Sequence, residues 1–212
     1  MFNIEKFLEI KDLIQKNQKK SQIIAISKNH PEESIVNAIN NGVRIFGENR
    51  VLEAKEKFTK LKELHPNIEL HLTGPLQSNK VKLAVSIFDV FHTLDREKIA
   101  KEFYKYPEVI KNKKFFIQVN IGEEETKSGI HPKNLREFYN FCKNDMYLNI
   151  IGLMCIPPIN EKPKSHFIKL QSLARENNLN KLSIGMSNDY LEALDFDPAY
   201  IRLGTLLFGE RN

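Results

Sequence analysis

Two basic side chains stand where few of their kind do. Lys28 follows the apolar run Ile23-Ile24-Ala25-Ile26 and Ser27, and Pro31, Glu32 and Glu33 come just after it. Proline and acids both favour the first turn of a helix. Lys28 therefore belongs at the carboxyl end of a buried strand, with a helix about to begin. In α/β folds that edge of the sheet binds ligands. An amine beside an apolar strand loses hydration, which disfavours its ammonium form. Only the neutral amine attacks an aldehyde, so such a lysine suits Schiff-base chemistry. Taken alone, Lys28 reads better as a solvated lysine in a turn, and the rest of the chain is what shifts that reading.

The second basic residue is Arg202, inside the apolar stretch Tyr200-Ile201-Arg202-Leu203. It points either outward into a salt bridge between helices or into a barrel mouth, where it needs a partner. Gly204-Thr205 follows it, and Gly185-Met186-Ser187 precedes a short helical pattern. The Ser187 hydroxyl and nearby backbone N–H groups can face an anion. Gly204 leaves room for a close approach. Singly, Ser187 is a helix cap and Gly204 a turn. Together, after strands seven and eight of a barrel, they favour a phosphate.

These residues need elements to position them. Apolar spacing predicts a first helix over 4–16, and then strands near 23–26, 43–46, 68–72, 90–93, 115–121, 150–156, 182–184 and 200–203. Helical patterns fall at 31–41, 49–64, 79–87, 96–104, 133–142, 164–177 and 189–194. Gly42 is the expected stop of the second helix, and Asp189 with Glu192 offers a capping box. Strand–helix units at a spacing of roughly 25 to 30 residues predict an α/β fold, a single (β/α)8 TIM barrel over residues 1–212. The last strand has no helix of its own, so the additional N-terminal helix would fill that gap. A doubly wound open sheet competes, but there are too many strands and no Gly-rich first turn.

Composition narrows the function classes. The 212 residues are 41% hydrophobic and 28% charged, with 32 basic against 27 acidic side chains and a net charge of +5. The basic residues are dispersed among acids, unlike the concentrated patch of a nucleic-acid protein. No apolar run reaches the ~20 residues that span a bilayer, and the N-terminus lacks a signal-peptide core. The expectation is a cytoplasmic protein with no membrane or nucleic-acid partner. Cys142 and Cys155 are expected as reduced thiols. No zinc-type spacing or Walker loop occurs, so no metal ligand is assigned. His71 is placed to face the barrel mouth. His30, His65, His92, His131 and His166 read as surface or helix-end residues, and Met154 and Met186 as packing.

Read in order, Ala25-Ile26-Ser27-Lys28, Phe46-Gly47-Glu48-Asn49, His71 through Lys80, Lys127-Ser128-Gly129-Ile130, Gly152-Leu153-Met154, Ser183 through Asp189, and Ile201 through Gly209 closely resemble the YggS/PROSC family of pyridoxal phosphate homeostasis proteins. The resemblance runs from about Ile23 to the C-terminus. It implies a barrel similar to the N-terminal domain of alanine racemase, carrying pyridoxal 5'-phosphate on Lys28. By the same carry-over Asn49 lies beside the cofactor ring and Arg202 near the pyridine nitrogen, while Ser187, Gly204 and Thr205 hold the phosphate. The sequence departs from the family pattern at Asn29-His30, where Thr-Lys is more usual. The N-terminal segment and the region after Pro158 are shorter. None of these departures touches an assigned ligand.

The resemblance implies no robust catalysis, so no catalytic residue is assigned. Alanine racemase sets a tyrosine from a second domain opposite its lysine, and this chain ends at Asn212, soon after the eighth strand. An arginine at the pyridine nitrogen also weakens the ring as an electron sink. The expected role is cofactor holding and delivery, with apo pyridoxal-phosphate enzymes as transient partners and a monomeric state. A weak amino-acid racemase is the alternative. A third reading is a cofactor-free barrel of the Schiff-base aldolase type.

Overall fold

A computed structural model describes residues 2–210; Met1, Arg211 and Asn212, at the ends of the expected 1–212 domain, lie outside the described residues. In chain order the elements are α1 (Ile4–Lys16), β1 (Gln22–Ile26), α2 (Glu32–Asn40), β2 (Ile45–Glu48), α3 (Val51–Leu64) and β3 (Glu69–Leu72). After a 3-10 turn come α4 (Val81–Ile87), β4 (Val90–Leu94), α5 (Glu97–Tyr104), α6 (Pro107–Ile110) and β5 (Lys114–Gln118). Then follow α7 (Leu135–Asn140), extended by a π turn, β6 (Ile150–Met154), α8 (Pro163–Glu176), β7 (Lys181–Ser183), α9 (Tyr190–Leu194), β8 (Tyr200–Leu203) and α10 (Thr205–Phe208). All strand pairs are parallel, and β1 to β8 close into a barrel in sequence order. The closing ladder pairs Gln22 with Tyr200 through to Ala25 with Leu203. The expected TIM barrel with an added N-terminal helix is therefore the fold, and the open doubly wound sheet is not.

Alternation along each strand sorts side chains between the barrel lumen and the helix layer. Ile24, Ile26, Val90, Phe116, Met154 and Tyr200 form a compact buried cluster in the lumen. The larger core lies between the strands and the helices, built from Phe46, Phe58, Phe91, Phe103, Phe115, Phe167 and their neighbours. Both faces of every strand are thus covered, which is why the strands read as continuous apolar runs rather than alternating ones.

Several boundaries differ from the sequence reading, and each has a physical reason. Strand β2 runs two residues past its expected end at Phe46: Gly47 faces the lumen against Ile24 and Ile26, and Glu48 faces the helix layer, where Ser27 and Lys57 hold its carboxylate. The last strand does have a helix, the single turn α10. Helix α1 packs against it, with Asn3 N donating to Leu207 O at 2.7 Å and the Phe2 and Phe208 rings 5.5 Å apart. The short α6, started by Pro107, was not anticipated. Gly42 does end α2, at φ +88°. The capping box at Asp189 and Glu192 does not form. Asp189 accepts from Met186 N instead, tightening the turn before α9. No described helix is long and apolar enough to cross a membrane.

Strand β6 can approach β7 only because Gly152 has no side chain. A Cβ there would sit 2.0 Å from Lys181 O and 2.8 Å from the Phe116 ring. Gly152→Ala is expected to lower the unfolding free energy by about 2 kcal/mol, as overpacking of a close-fitted core does, read as a shift in urea midpoint at unchanged slope.

Candidate functional site

The six residues assigned from the sequence meet in one place. Lys28, Asn49, Ser187, Arg202, Gly204 and Thr205 all line a cleft of about 270 Å³ at the carboxyl ends of the strands, together with Ile26, Thr73, Ile156, Met186 and Asn188. Lys28 leaves the end of β1 half-buried. The turn that carries it is held from behind. Ser27 Oγ donates to Glu48 Oε1 at 2.7 Å, and Asn29, at φ +61°, donates its N–H to Glu53 Oε1. Lys57 of α3 joins Ser27 O, Glu48 Oε1 and Glu53 Oε1 at 3.0, 3.2 and 2.6 Å. Both neighbours of Lys28 are therefore anchored to the same buried ion cluster. Burial pushes the Glu48 carboxyl up, against the pull of Lys57.

Asn49 stands directly after β2. Thr73 Oγ1 donates to its Oδ1 at 3.0 Å, which leaves the amide Nδ2 without a protein partner among the described residues. Gly74 allows the third loop to pass against it, since a Cβ there would lie 2.4 Å from Asn49 O.

Arg202 is 5% exposed and forms part of the cleft floor. Its Nη1 donates to Ser183 O at 2.7 Å and Ser183 Oγ at 2.8 Å, and its Nη2 donates to Cys155 O at 3.0 Å. A guanidinium has five N–H donors, so two remain without an acceptor among the described residues. Across the cleft, the N–H groups of Ser187, Asn188, Gly204 and Thr205 also lack a protein acceptor among the described residues. Two cationic side chains and a set of open amides make this an anion-receiving cleft with one nucleophilic amine.

The sequence reading missed what lies beneath. His92, expected at the surface, is wholly buried in the lumen with His71, because β4 runs through the barrel with both faces covered. His71 Nδ1 and His92 Nε2 lie 2.8 Å apart, and His92 Nδ1 lies 2.9 Å from Ser183 Oγ. His71 Nε2 meets Glu69 Oε1 at 3.0 Å. Thus His71 faces the lumen below the mouth, not the cleft itself. Burial holds both imidazoles below the ordinary histidine range. His166 is a helix-end residue as expected, but it is buried beside Glu161. The thiols of Cys142 and Cys155 are free and buried, and desolvation pushes Cys155 up to about 12. Among the described residues no group of three His, Cys, Asp or Glu is arranged to hold a metal ion.

A family model described as the N-terminal domain of alanine racemase matches residues 6–212. The pyridoxal phosphate homeostasis protein of Aquifex aeolicus is 39% identical over 203 residues, covering 90% of this chain and 87% of that one. This chain belongs to that family. Its member from Vibrio cholerae is 38% identical over 202 residues, covering 90% of this chain and 86% of the relative. Among solved structures, PipY of Synechococcus elongatus PCC7942 with PLP bound superposes at a TM-score of 0.86 with 32% identity, covering 97% of this chain and 99% of that one. The YggS/PROSC resemblance drawn from ordered motifs is thereby established. Alanine racemase from Corynebacterium glutamicum, at 14% identity and a TM-score of 0.69 over 97% of this chain and 60% of that one, shares the barrel fold.

Two outcomes test the site's electrostatics. Lys57→Met leaves Glu48 buried without its cation and is expected to cost about 3 kcal/mol of stability. Adding Glu48→Gln should recover part of that loss in a double-mutant cycle by denaturant titration. Secondly, burial holds His71 and His92 neutral in the folded protein, whereas in the unfolded chain they gain protons below the ordinary histidine value of about 6.5. The unfolded state then binds more protons, so stability must fall as pH drops below that value, by about 1.4 kcal/mol per pH unit for each neutral ring. Urea titrations from pH 7 to pH 5 should show the slope, and His92→Gln should reduce it by one proton's share.

Proposed function

We propose that the cleft holds pyridoxal 5'-phosphate and that the protein stores and hands over this vitamin B6 cofactor without appreciable turnover of its own. The convergence of one amine, one buried guanidinium and four open amides on a single 270 Å³ cleft carries the reading. The donor set fits the group. Arg202 keeps two unused N–H donors for a ring nitrogen, and the amides of Ser187, Asn188, Gly204 and Thr205 suit a phosphate. Bound here, the cofactor would supply an electrophilic aldehyde carbon and an electron-accepting ring. Lys28 is the amine for the aldehyde. Asn49, its side-chain carbonyl oxygen held by Thr73, would lie beside the ring. Arg202, a permanent cation with no acceptor, would donate to the ring nitrogen and keep protons off it.

The make-up of the cleft supports carriage over catalysis. Lys28 and Arg202 are the only side chains with an ionisable group among its lining residues, which include no carboxylate, histidine, tyrosine or thiol. Moving a proton on an amino acid needs a second acid or base at the opposite face, and none is among the residues lining the cleft. We assign the protein to the cytoplasm as a monomer, meeting apo pyridoxal-phosphate enzymes transiently as it releases cofactor. The alternative, a weak racemase, draws on the shared barrel alone.

Borohydride reduction after incubation with pyridoxal phosphate, followed by peptide mass spectrometry, is the direct test. The pyridoxyl mass is expected on Lys28 and absent in Lys28→Ala. Label on another lysine, or Lys28-dependent turnover across a panel of L-amino acids, overturns the reading.

A further inference from the structure

A single hydrogen-bonded path crosses the barrel from its amino-terminal end to the cleft. It starts at Glu69, the first residue of β3, passes His71 and His92, and reaches Ser183 and Arg202 through contacts of 3.0, 2.8, 2.9 and 2.8 Å. It takes one residue from each of β4, β7 and β8 and two from β3. None of these residues except Arg202 lines the cleft.

The protons along the path can be assigned by elimination. The bond from His71, aided by Lys114, holds Glu69 down at about 2, so Glu69 is a carboxylate and only accepts. His71 must donate from Nε2, which leaves Nδ1 a bare lone pair, since burial keeps the ring neutral. His92 must then donate from Nε2 and accept at Nδ1. Ser183 must donate to that Nδ1, and its oxygen is left to accept from Arg202 Nη1. Every bond therefore points the same way, from guanidinium to carboxylate, and no partner can be reversed without stranding a buried donor or acceptor. Around this line the Tyr200 ring stands edge-on to both imidazoles at 4.8 and 5.7 Å. Phe116 stacks on His92 at 4.7 Å. Both imidazoles are wholly buried.

We propose that Glu69, His71, His92 and Ser183 are positioning residues for Arg202, a one-directional relay that ties a carboxylate at the far end of the barrel to the guanidinium in the cleft. The relay fixes which Arg202 donors are spent on protein and which remain for a ligand. It deepens the cofactor reading for the loaded protein, since Arg202 would meet the ring, but the relay itself exists without ligand.

The test begins with ligand-free protein. Long-range nitrogen–proton NMR should show both His71 and His92 as Nε2–H tautomers with unprotonated Nδ1. In the isosteric variant Glu69→Gln, the Arg202 side-chain resonances should move although the substitution is remote from the cleft. With the path cut by Ser183→Ala, adding Glu69→Gln should no longer move them. Nδ1–H tautomers or imidazolium at neutral pH, or Arg202 resonances indifferent to Glu69→Gln, overturn the relay. If Ser183→Ala fails to fold, the wild-type tautomers and Glu69→Gln alone decide. For loaded protein, Ser183→Ala removes a bond to a charged donor and should weaken pyridoxal phosphate binding about tenfold. Its visible band should shift, while borohydride still labels Lys28. Failure of wild-type protein to bind pyridoxal phosphate would defeat the cofactor reading and leave the ligand-free NMR result standing.

Discussion

A guanidinium cannot be left inside a closed barrel without acceptors, and the arrangement of this lumen follows from that requirement. Arg202 is buried among apolar side chains, where an uncompensated cation would be strongly unfavourable. Its acceptors come from the ends of two other strands, Ser183 and the carbonyl of Cys155. Ser183 in turn needs an acceptor for its own proton, and His92 supplies one. The demand passes on through His71 to Glu69, where the barrel meets water and a carboxylate can close the account. A polar thread thus runs through a lumen otherwise filled by Ile24, Ile26, Val90, Phe116 and Met154.

The outer layer solves the matching problem for Lys28. A lysine at a strand end lies on a mobile turn unless something holds its neighbours. Here Glu48, Glu53 and Lys57 grip Ser27 and Asn29 from the helix side of β1 and β2. The amine is thereby aimed by residues that never touch the cleft. The two cations of the site are each positioned by a separate network, one in the lumen and one beneath α3, and the two networks share no residue.

Much of this was legible in the sequence, for reasons that also mark the limits. Eight strands announced themselves because each is covered on both faces and reads as an apolar run. The cleft residues were found because they are the polar or glycine residues that interrupt such runs at their carboxyl ends. His92 escaped for the same reason. A strand buried on both faces has no polar–apolar alternation to say which way a histidine points, and its partner His71 lies 21 residues earlier in the chain. Glu48 was seen only as part of a family-like stretch. Its tie to Lys57 depends on β2 and α3 packing side by side, although the Glu53 and Lys57 pair at helical spacing was a readable hint. The helix α10 is a single turn, too short for periodicity to register.

The barrel closes where β1 meets β8, and that join bears on everything at the mouth. Lys28 extends from β1, and the open amides of Gly204 and Thr205 extend from β8. Below them His30 stacks on Phe208 at 5.2 Å, and Phe2 covers the same ring. Any molecule gripped by the amine on one side and by those amides on the other straddles the seam like a stitch. Occupancy and cohesion of the closed cylinder then become a single linked equilibrium, with the first and last strands drawn together by the cargo between them.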